Sequence, residues 1–277
     1  MYHDKLMPTV SGLTKLALAA LLAISGCASS DGESEDDIQR GKASRSYLAV
    51  GMVRFRSGAY GTGALIRPNV VLTAGHVAIG SVDRFYYGSP APGKDPVYTN
   101  LPSLKIVKAA LGECYSHGAA NGHAAYKRPA SCPQELDVGL VRLEKDIPDV
   151  TPLRVYEGGF EWLEKAMTKA PEAIAVGFGC HTLSDNKTKV YDERRYATSL
   201  FDSLTASEIV VKPGTGIATS GDSGGPLLYN SFIVGTVRGG VEFTKDGNSC
   251  GRAKEGYIRI DRTRDWVTKV LKEWGDD

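Results

Sequence analysis

Apolar positions along this chain fall into short runs separated by glycine, proline and polar turn residues. From residue 47 onward the runs read YLAVGMVRF, GTGALI, NVVLTAG, RFYYG, SLKIVKAAL, DVGLVRL, EAIAVGFG, SEIVV, SFIVGTVRG and GYIRI. Each is rich in β-branched and aromatic residues and is about the length of one strand, so their succession predicts an all-β sandwich or barrel. Two segments are spaced as helices instead. FEWLEKAM (160–167) predicts a brief helix, and RTRDWVTKVLKEW (262–274) places Trp266, Val270 and Trp274 at i, i+4 and i+8 with basic residues between them. That spacing predicts a terminal amphipathic helix docked on the β core. Around TPLRVYEGGFE (151–161) the strand pattern pauses, which marks a link between two halves at about 38–153 and 154–277.

The first 26 residues follow another rule. Lys5 and Lys15 precede the apolar run LALAALLAI (16–24), which is too short to cross a bilayer as a lone helix and predicts a signal peptide over residues 1–26. The run leads into ISGC, small residues directly before Cys27, and this resembles the lipobox of bacterial lipoproteins. The resemblance implies that Cys27 is acylated and becomes the new N-terminus; with Ala28 rather than Asp after it, it implies routing to the outer membrane of a Gram-negative cell. SSDGESEDD (29–37) contains no apolar residue, so residues 27–37 should form a solvated acidic tether or propeptide.

Composition adds less. The 277 residues include 33 basic and 32 acidic side chains, and no dense basic run interleaves with aromatics, which argues against a nucleic-acid partner. Of five cysteines, Cys114, Cys132, Cys180 and Cys250 remain once Cys27 is set aside. In a chain addressed outside the cytoplasm they predict disulfides, and none lies in a Cys-x-x-Cys pair of the kind that holds a metal. Neither a metal nor a cofactor is implied.

Three local signatures carry chemistry: LTAGHV with His76, ELDVGLVRL with Asp137 and SGDSGGPLL with Ser223. In that order they resemble the chymotrypsin-like (trypsin-like) serine proteases, and the resemblance spans residues 38 to 277. It implies two antiparallel β-barrels with a C-terminal helix, the active site lying between them, and an extracytoplasmic endopeptidase acting on protein or peptide substrates. The residue types suit the reaction. A serine hydroxyl must lose its proton as it attacks a carbonyl, an imidazole can accept that proton, and a buried carboxylate on the far ring nitrogen fixes the tautomer. Ser223 is then the nucleophile, His76 the base and Asp137 its orienting acid. Glycines around Ser223 leave the N–H groups of Gly221 and Ser223 free to point at the developing oxyanion.

The resemblance also implies a salt bridge from Asp222 to the ammonium created by cleavage before Ile38, although Gln39 and Arg40 depart from the usual start and Asp37 is not a tryptic position. Sixty-one positions separate His76 from Asp137, and the surplus includes a loop bounded by Cys114 and Cys132 that invites closure by its own disulfide; it also holds His117 and His123. Cys180 and Cys250 should both fall near the pocket rim, which favours their pairing. Val77 and Thr219 stand where relatives have cysteines. The substrate pocket is assigned to Ile217, Ser220, Arg238, Gly239, Gly240, Glu255 and Gly256. Ile217, where trypsins place an aspartate, predicts an apolar residue before the scissile bond. An ungapped alignment sets Glu255 on the pocket wall, whereas a one-residue gap moves it to the rim and restores Gly256; the gapped version is favoured. Arg238, where a serine usually bonds the catalytic aspartate, is expected to pair with Asp137. The alternative function is a proteolytically silent surface lipoprotein, a protease-like binding module whose cleft is blocked by Arg238 and the long loop.

Overall fold

The structure, a computed structural model, describes residues 42–79, 81–89, 94, 97–112, 137–182, 189–190, 193–243 and 252–276. The chain opens with β1 (Lys42–Ala43), β2 (Val50–Phe55), β3 (Tyr60–Arg67), β4 (Val70–Thr73), the one-turn α1 (Gly75–Ala78), β5 (Val82–Tyr86), β6 (Ser103–Leu111) and β7 (Gly139–Leu143). Strands β2 to β7 close an antiparallel barrel in the order β2-β3-β4-β7-β6-β5. There follow β8 (Arg154–Val155), α2 (Phe160–Lys169), β9 (Glu172–Gly177), β10 (His181–Thr182), β11 (Lys189–Val190), β12 (Arg195–Leu204), β13 (Glu208–Pro213), β14 (Pro226–Tyr229), β15 (Phe232–Phe243), β16 (Arg252–Arg259) and α3 (Ile260–Trp274). Here β9 pairs with both β12 and β14, which closes a second barrel of β9, β12, β13, β16, β15 and β14. The two-barrel architecture with a terminal helix is therefore as expected. The first half also gives a strand to the second: Lys42 and Ala43 pair with Tyr196 and Arg195, so β1 joins the second barrel's sheet.

Alternation along the strands explains why some runs read as continuously apolar. In β3 and β4, Leu65 and Val71 point into the first barrel's core with Phe85 and Val141. Their neighbours Ala64, Ile66, Val70 and Leu72 face outward into a second cluster with Val176, Ile233, Trp266, Val270 and Trp274. A strand buried on both faces needs no polar positions, which is the pattern of NVVLTAG. Helix α3 thus seals the outer face of the first barrel against the second. Truncating Trp266 to Ala would cost about 3–5 kcal/mol. The helix ends at Gly275, whose left-handed φ of 74° lets Asp276 N–H reach the Leu271 carbonyl at 3.0 Å. Arg194 ties the barrels together from between them. It is 2% exposed, donates to the carbonyls of Val50 and Gly88 at 2.8 Å each, and lies over the Phe178 ring. Burial lowers its pKa to about 10, so the guanidinium stays charged at neutral pH.

Candidate active site

His76 sits in α1, immediately after β4. The β4–β7 register, Thr73 opposite Gly139, brings Asp137 beside that turn. Gly139 must be bare for this, because a Cβ there would lie 2.5 Å from Ala78 Cβ and 2.9 Å from the Ala74 carbonyl oxygen. Asp137 is 4% exposed and grips His76 at two points: Oδ1 accepts the backbone N–H at 2.9 Å, and Oδ2 lies 2.8 Å from Nδ1. A carboxylate accepts, so Nδ1 carries the proton and Nε2 is left with its lone pair. Nε2 bonds to nothing among the described residues, and the ring is partly open to solvent.

Ser223 lies in the loop between β13 and β14. Gly224, with φ of 83°, nests that loop against the start of α1; a Cβ on it would fall 2.1 Å from Thr73 Oγ1 and 2.6 Å from Ala74 N. Thr62 on β3 then fixes the loop from the first barrel. Its N–H donates to the Ser223 carbonyl at 2.8 Å and its hydroxyl to the Gly221 carbonyl at 3.0 Å, while the same oxygen accepts Phe178 N–H at 3.1 Å. The N–H groups of Asp222, Gly224 and Gly225 are used internally, donating to Thr219, Val237 and Asp222 carbonyls. Those of Gly221 and Ser223 have no acceptor among the described residues. Gly221 can hold this turn because its φ is 98°. No hydrogen bond joins the Ser223 hydroxyl to His76 among the described residues; such bonds are often long without substrate and tighten around it.

Asp222 is 1% exposed. Its Oδ1 accepts Gly179 N–H at 2.7 Å, and its Oδ2 accepts Thr219 N–H at 2.7 Å and the Thr219 hydroxyl at 3.4 Å. The glycines of GFG make room for it, since a Cβ on Gly177 or Gly179 would lie 2.0 Å from its oxygens. Burial outweighs those donors and the more distant charge of Arg195, and pushes the carboxyl up to about 6. Ile38, its expected partner, lies outside the described residues, as do Cys27, Cys114, Cys132 and Cys250 with the loop they bound. Cys180 is fully buried and disulfide-bonded, its partner likewise outside the described residues. Val77 packs its methyls against the bare Cα of Gly61.

The pocket residues fall in two groups. Ile217 is 1% exposed and packs with Ala218, Val237 and Tyr257, whereas Ser220 is exposed and Gly239 and Gly240 are half-buried. Two expectations are corrected. Glu255 is not at the rim: it is 1% exposed, opposite Gly240, with Gly256 opposite Gly239, which is the ungapped register. Bulges in the β15–β16 ladder absorb the length difference, so β16 runs on without a gap and Glu255 shares the interior face of Tyr257. Burial, then the carboxylates of Glu255 and Asp222, push the Tyr257 phenol well above its ordinary range. Arg238 does not pair with Asp137. Its Nη1 lies 2.8 Å from Oε1 of Glu208 on β13, a carboxylate with only 12% of its side chain exposed that needs a counter-charge.

Thr62, Glu208 and Arg194 were not singled out from the sequence. A signal existed for Thr62, because glycines on both sides of a strand residue mark close backbone approach.

The Trypsin family model matches residues 38–267. Trypsin theta of Drosophila melanogaster is 26% identical over 198 residues, which are 64% of this chain and 65% of that protein. Among solved structures, human heparin binding protein superposes with a TM-score of 0.57 at 17% identity, covering 84% of this chain and 96% of that one. A mutant of it gives a TM-score of 0.55 at 16% identity, covering 84% and 95%.

Proposed function

Because the chain belongs to the trypsin family, we propose that it is a serine endopeptidase that hydrolyses peptide bonds through an acyl-enzyme. The reading is carried by the His76 imidazole, bonded through Nδ1 to the buried Asp137, on the short helix against whose start Gly224 nests the Ser223 loop. In the proposed reaction Nε2 takes the Ser223 proton as Oγ attacks the scissile carbonyl, and Asp137 stabilises the imidazolium that forms. The carbonyl oxygen becomes an oxyanion held by the N–H groups of Gly221 and Ser223, each worth about 2.7–4 kcal/mol of barrier. His76 then returns the proton to the leaving amine, and water repeats the sequence on the ester. A fluorophosphonate probe tests this directly: it should label the parent and not Ser223→Ala, which opens no cavity and keeps the fold. Equal cleavage by the two proteins would refute the assignment.

Ile217 supports a preference for an apolar residue before the cut. The buried Glu255 carboxylate supplies the competing demand, and a peptide library profiled with parent and Glu255→Gln decides it. A strong Arg/Lys preference that vanishes in Glu255→Gln would overturn the apolar pocket.

We place the protein outside the cytoplasm, anchored through an acylated Cys27, with Cys180 bonded to Cys250 and Cys114 to Cys132. Cleavage before Ile38 would supply an ammonium for Asp222, whose hydrogen-bond partners are otherwise uncharged. Full activity in protein that retains residues 28–37 would sink that step, and an unacylated mature N-terminus upstream of Cys27 would sink the anchor. The second reading, a silent binding protein, is supported by the lack of a Ser223–His76 hydrogen bond among the described residues; absence of probe labelling in correctly processed protein would favour it over the first.

A further inference from the structure

The linker between the barrels runs along a cleft of about 700 Å³ whose other walls come from the far end of β3, the start of β15 and α3. Arg67 on this wall lies five residues beyond Thr62 along β3, so about 17 Å from the oxyanion loop's anchor. Leu153, Val155 and Leu271 supply apolar surface within the cleft. Arg67, Arg154 and Arg264 line it against one carboxylate, that of Glu157.

Each guanidinium is held but far from saturated. Arg67 Nη1 donates to the Ile66 carbonyl at 3.0 Å, and Arg264 Nη1 to the Glu157 carbonyl at 2.9 Å with Nε 3.6 Å from the exposed Asp265. Arg154 lies over the Phe232 ring, 4.5 Å from its centroid. A guanidinium has five N–H donors, so most have no acceptor among the described residues. The aromatic wall is built as well. Phe232 meets Tyr156 edge-on at 6.4 Å, and Tyr156 stacks on Trp162 at 5.8 Å and 20°. Trp162 is nevertheless 56% exposed. A run of aromatics from Phe232 through Tyr156 to the exposed Trp162, with Arg154 over its first ring, has the composition of protein-binding hot spots.

We propose that this cleft docks an acidic peptide segment bearing an apolar or aromatic anchor residue, at a site separate from the catalytic one. The segment's carboxylates meet Arg67, Arg154 and Arg264, and its anchor fills the surface of Leu153, Val155 and Leu271 against Tyr156 and Phe232, with Trp162 extending that aromatic surface past the cleft's edge through its stack on Tyr156. A sulfated polysaccharide would use the arginines and leave the apolar surface and Trp162 idle, so the peptide accounts for more of the site. The proposal does not depend on the peptidase reading.

The test uses the full chain carrying Ser223→Ala, so that the probe survives, and a fluorescein-labelled synthetic peptide of sequence Glu-Asp-Leu-Glu-Phe-Asp-Glu followed by anisotropy. Saturable binding is expected, weakened about tenfold or more by Arg154→Ala or Arg264→Ala, since each removes charge-assisted hydrogen bonds. Trp162→Ala, and a peptide with Gly in place of Leu and Phe, should weaken it too. The same arginine and tryptophan substitutions in a Ser223-containing chain should leave hydrolysis of a short chromogenic substrate, or probe labelling, unchanged. Absence of saturable binding, or binding indifferent to the arginines, overturns the proposal. So does a heparin oligosaccharide that binds with the same arginine dependence while Trp162→Ala and the Gly peptide change nothing.

Discussion

Thr62→Val separates the oxyanion loop from the rest of the site. Valine fills the same volume, so no cavity opens, and the backbone N–H that holds the Ser223 carbonyl is retained. What disappears is one oxygen, which donates to the Gly221 carbonyl and accepts from Phe178 N–H at a residue that is 0% exposed. Leaving a buried N–H and carbonyl unsatisfied costs about 1–3 kcal/mol, a fall in Tm of about 2–10 °C for a domain of this size. Gly221 also loses the contact that pins its carbonyl, and with it one restraint on the turn from which its own N–H projects. Removing an oxyanion donor outright costs about 2.7–4 kcal/mol, so a donor that is merely loosened should lower kcat by roughly 10–100-fold. KM should change little, because the donor acts on charge that exists only in the transition state. Steady-state kinetics on a chromogenic peptide, with thermal melts, read both effects, and Thr62→Ser should restore them because it keeps the hydroxyl. If Thr62→Val melts lower but keeps kcat within about twofold of the parent, Thr62 is only structural and the positioning argument fails.

Asp137→Asn should keep the fold and lower kcat by about 10⁴-fold, because an amide can hold the wrong tautomer of His76; a loss below about tenfold in the same kinetics would contradict the two-point grip. Gly224→Ala should destabilise by about 2–5 kcal/mol in denaturant melts and abolish probe labelling, since its Cβ must enter the Thr73–Ala74 contact at positive φ; an unchanged midpoint would show that the loop does not nest there. His181, lowered to about 4 by burial and then by Arg195, stays neutral in the fold and must be protonated on unfolding, so its contribution is lost as pH falls from 6.5 towards 4. Asp222, raised to about 6 by burial, acts oppositely, its contribution falling as pH rises from 3.8 to 6. His181→Gln should therefore gain Tm relative to the parent progressively as pH drops from 6.5 to 4, and parallel Tm–pH curves would refute the assignment.

What could be read from the sequence was whatever the chain encodes locally. His76, Asp137 and Ser223 stand in short motifs, each with its own glycine or strand context, and the alternation of apolar runs carries the barrels and α3. Thr62 was missed because its role arises from a contact 159 residues away, between a strand of one barrel and a loop of the other. Its only local trace is Gly-Thr-Gly within β3, where the bare neighbours let Val77, the Ser223 carbonyl and β4 approach. Glu255 and Arg238 failed for a different reason. Both positions were placed by aligning the sequence of β15 and β16 with that of relatives, and an alignment fixes which residues face each other only where two strands advance together. The bulge between Val237 and Gly239 breaks that equality, leaves Arg238 without a residue opposite it in the ladder and keeps Glu255 in step with Gly240. One residue of slip turns a side chain to the other face of a strand, so a rim glutamate becomes an interior one without any change in sequence. The partner that Arg238 finds, Glu208, lies on β13, beyond β16, where no reading of a single strand would look. In the proposed reading, the specificity of the pocket would thus be set where the ladder is irregular, and the Glu255→Gln profile would then carry more information about substrate than any residue of the proposed triad.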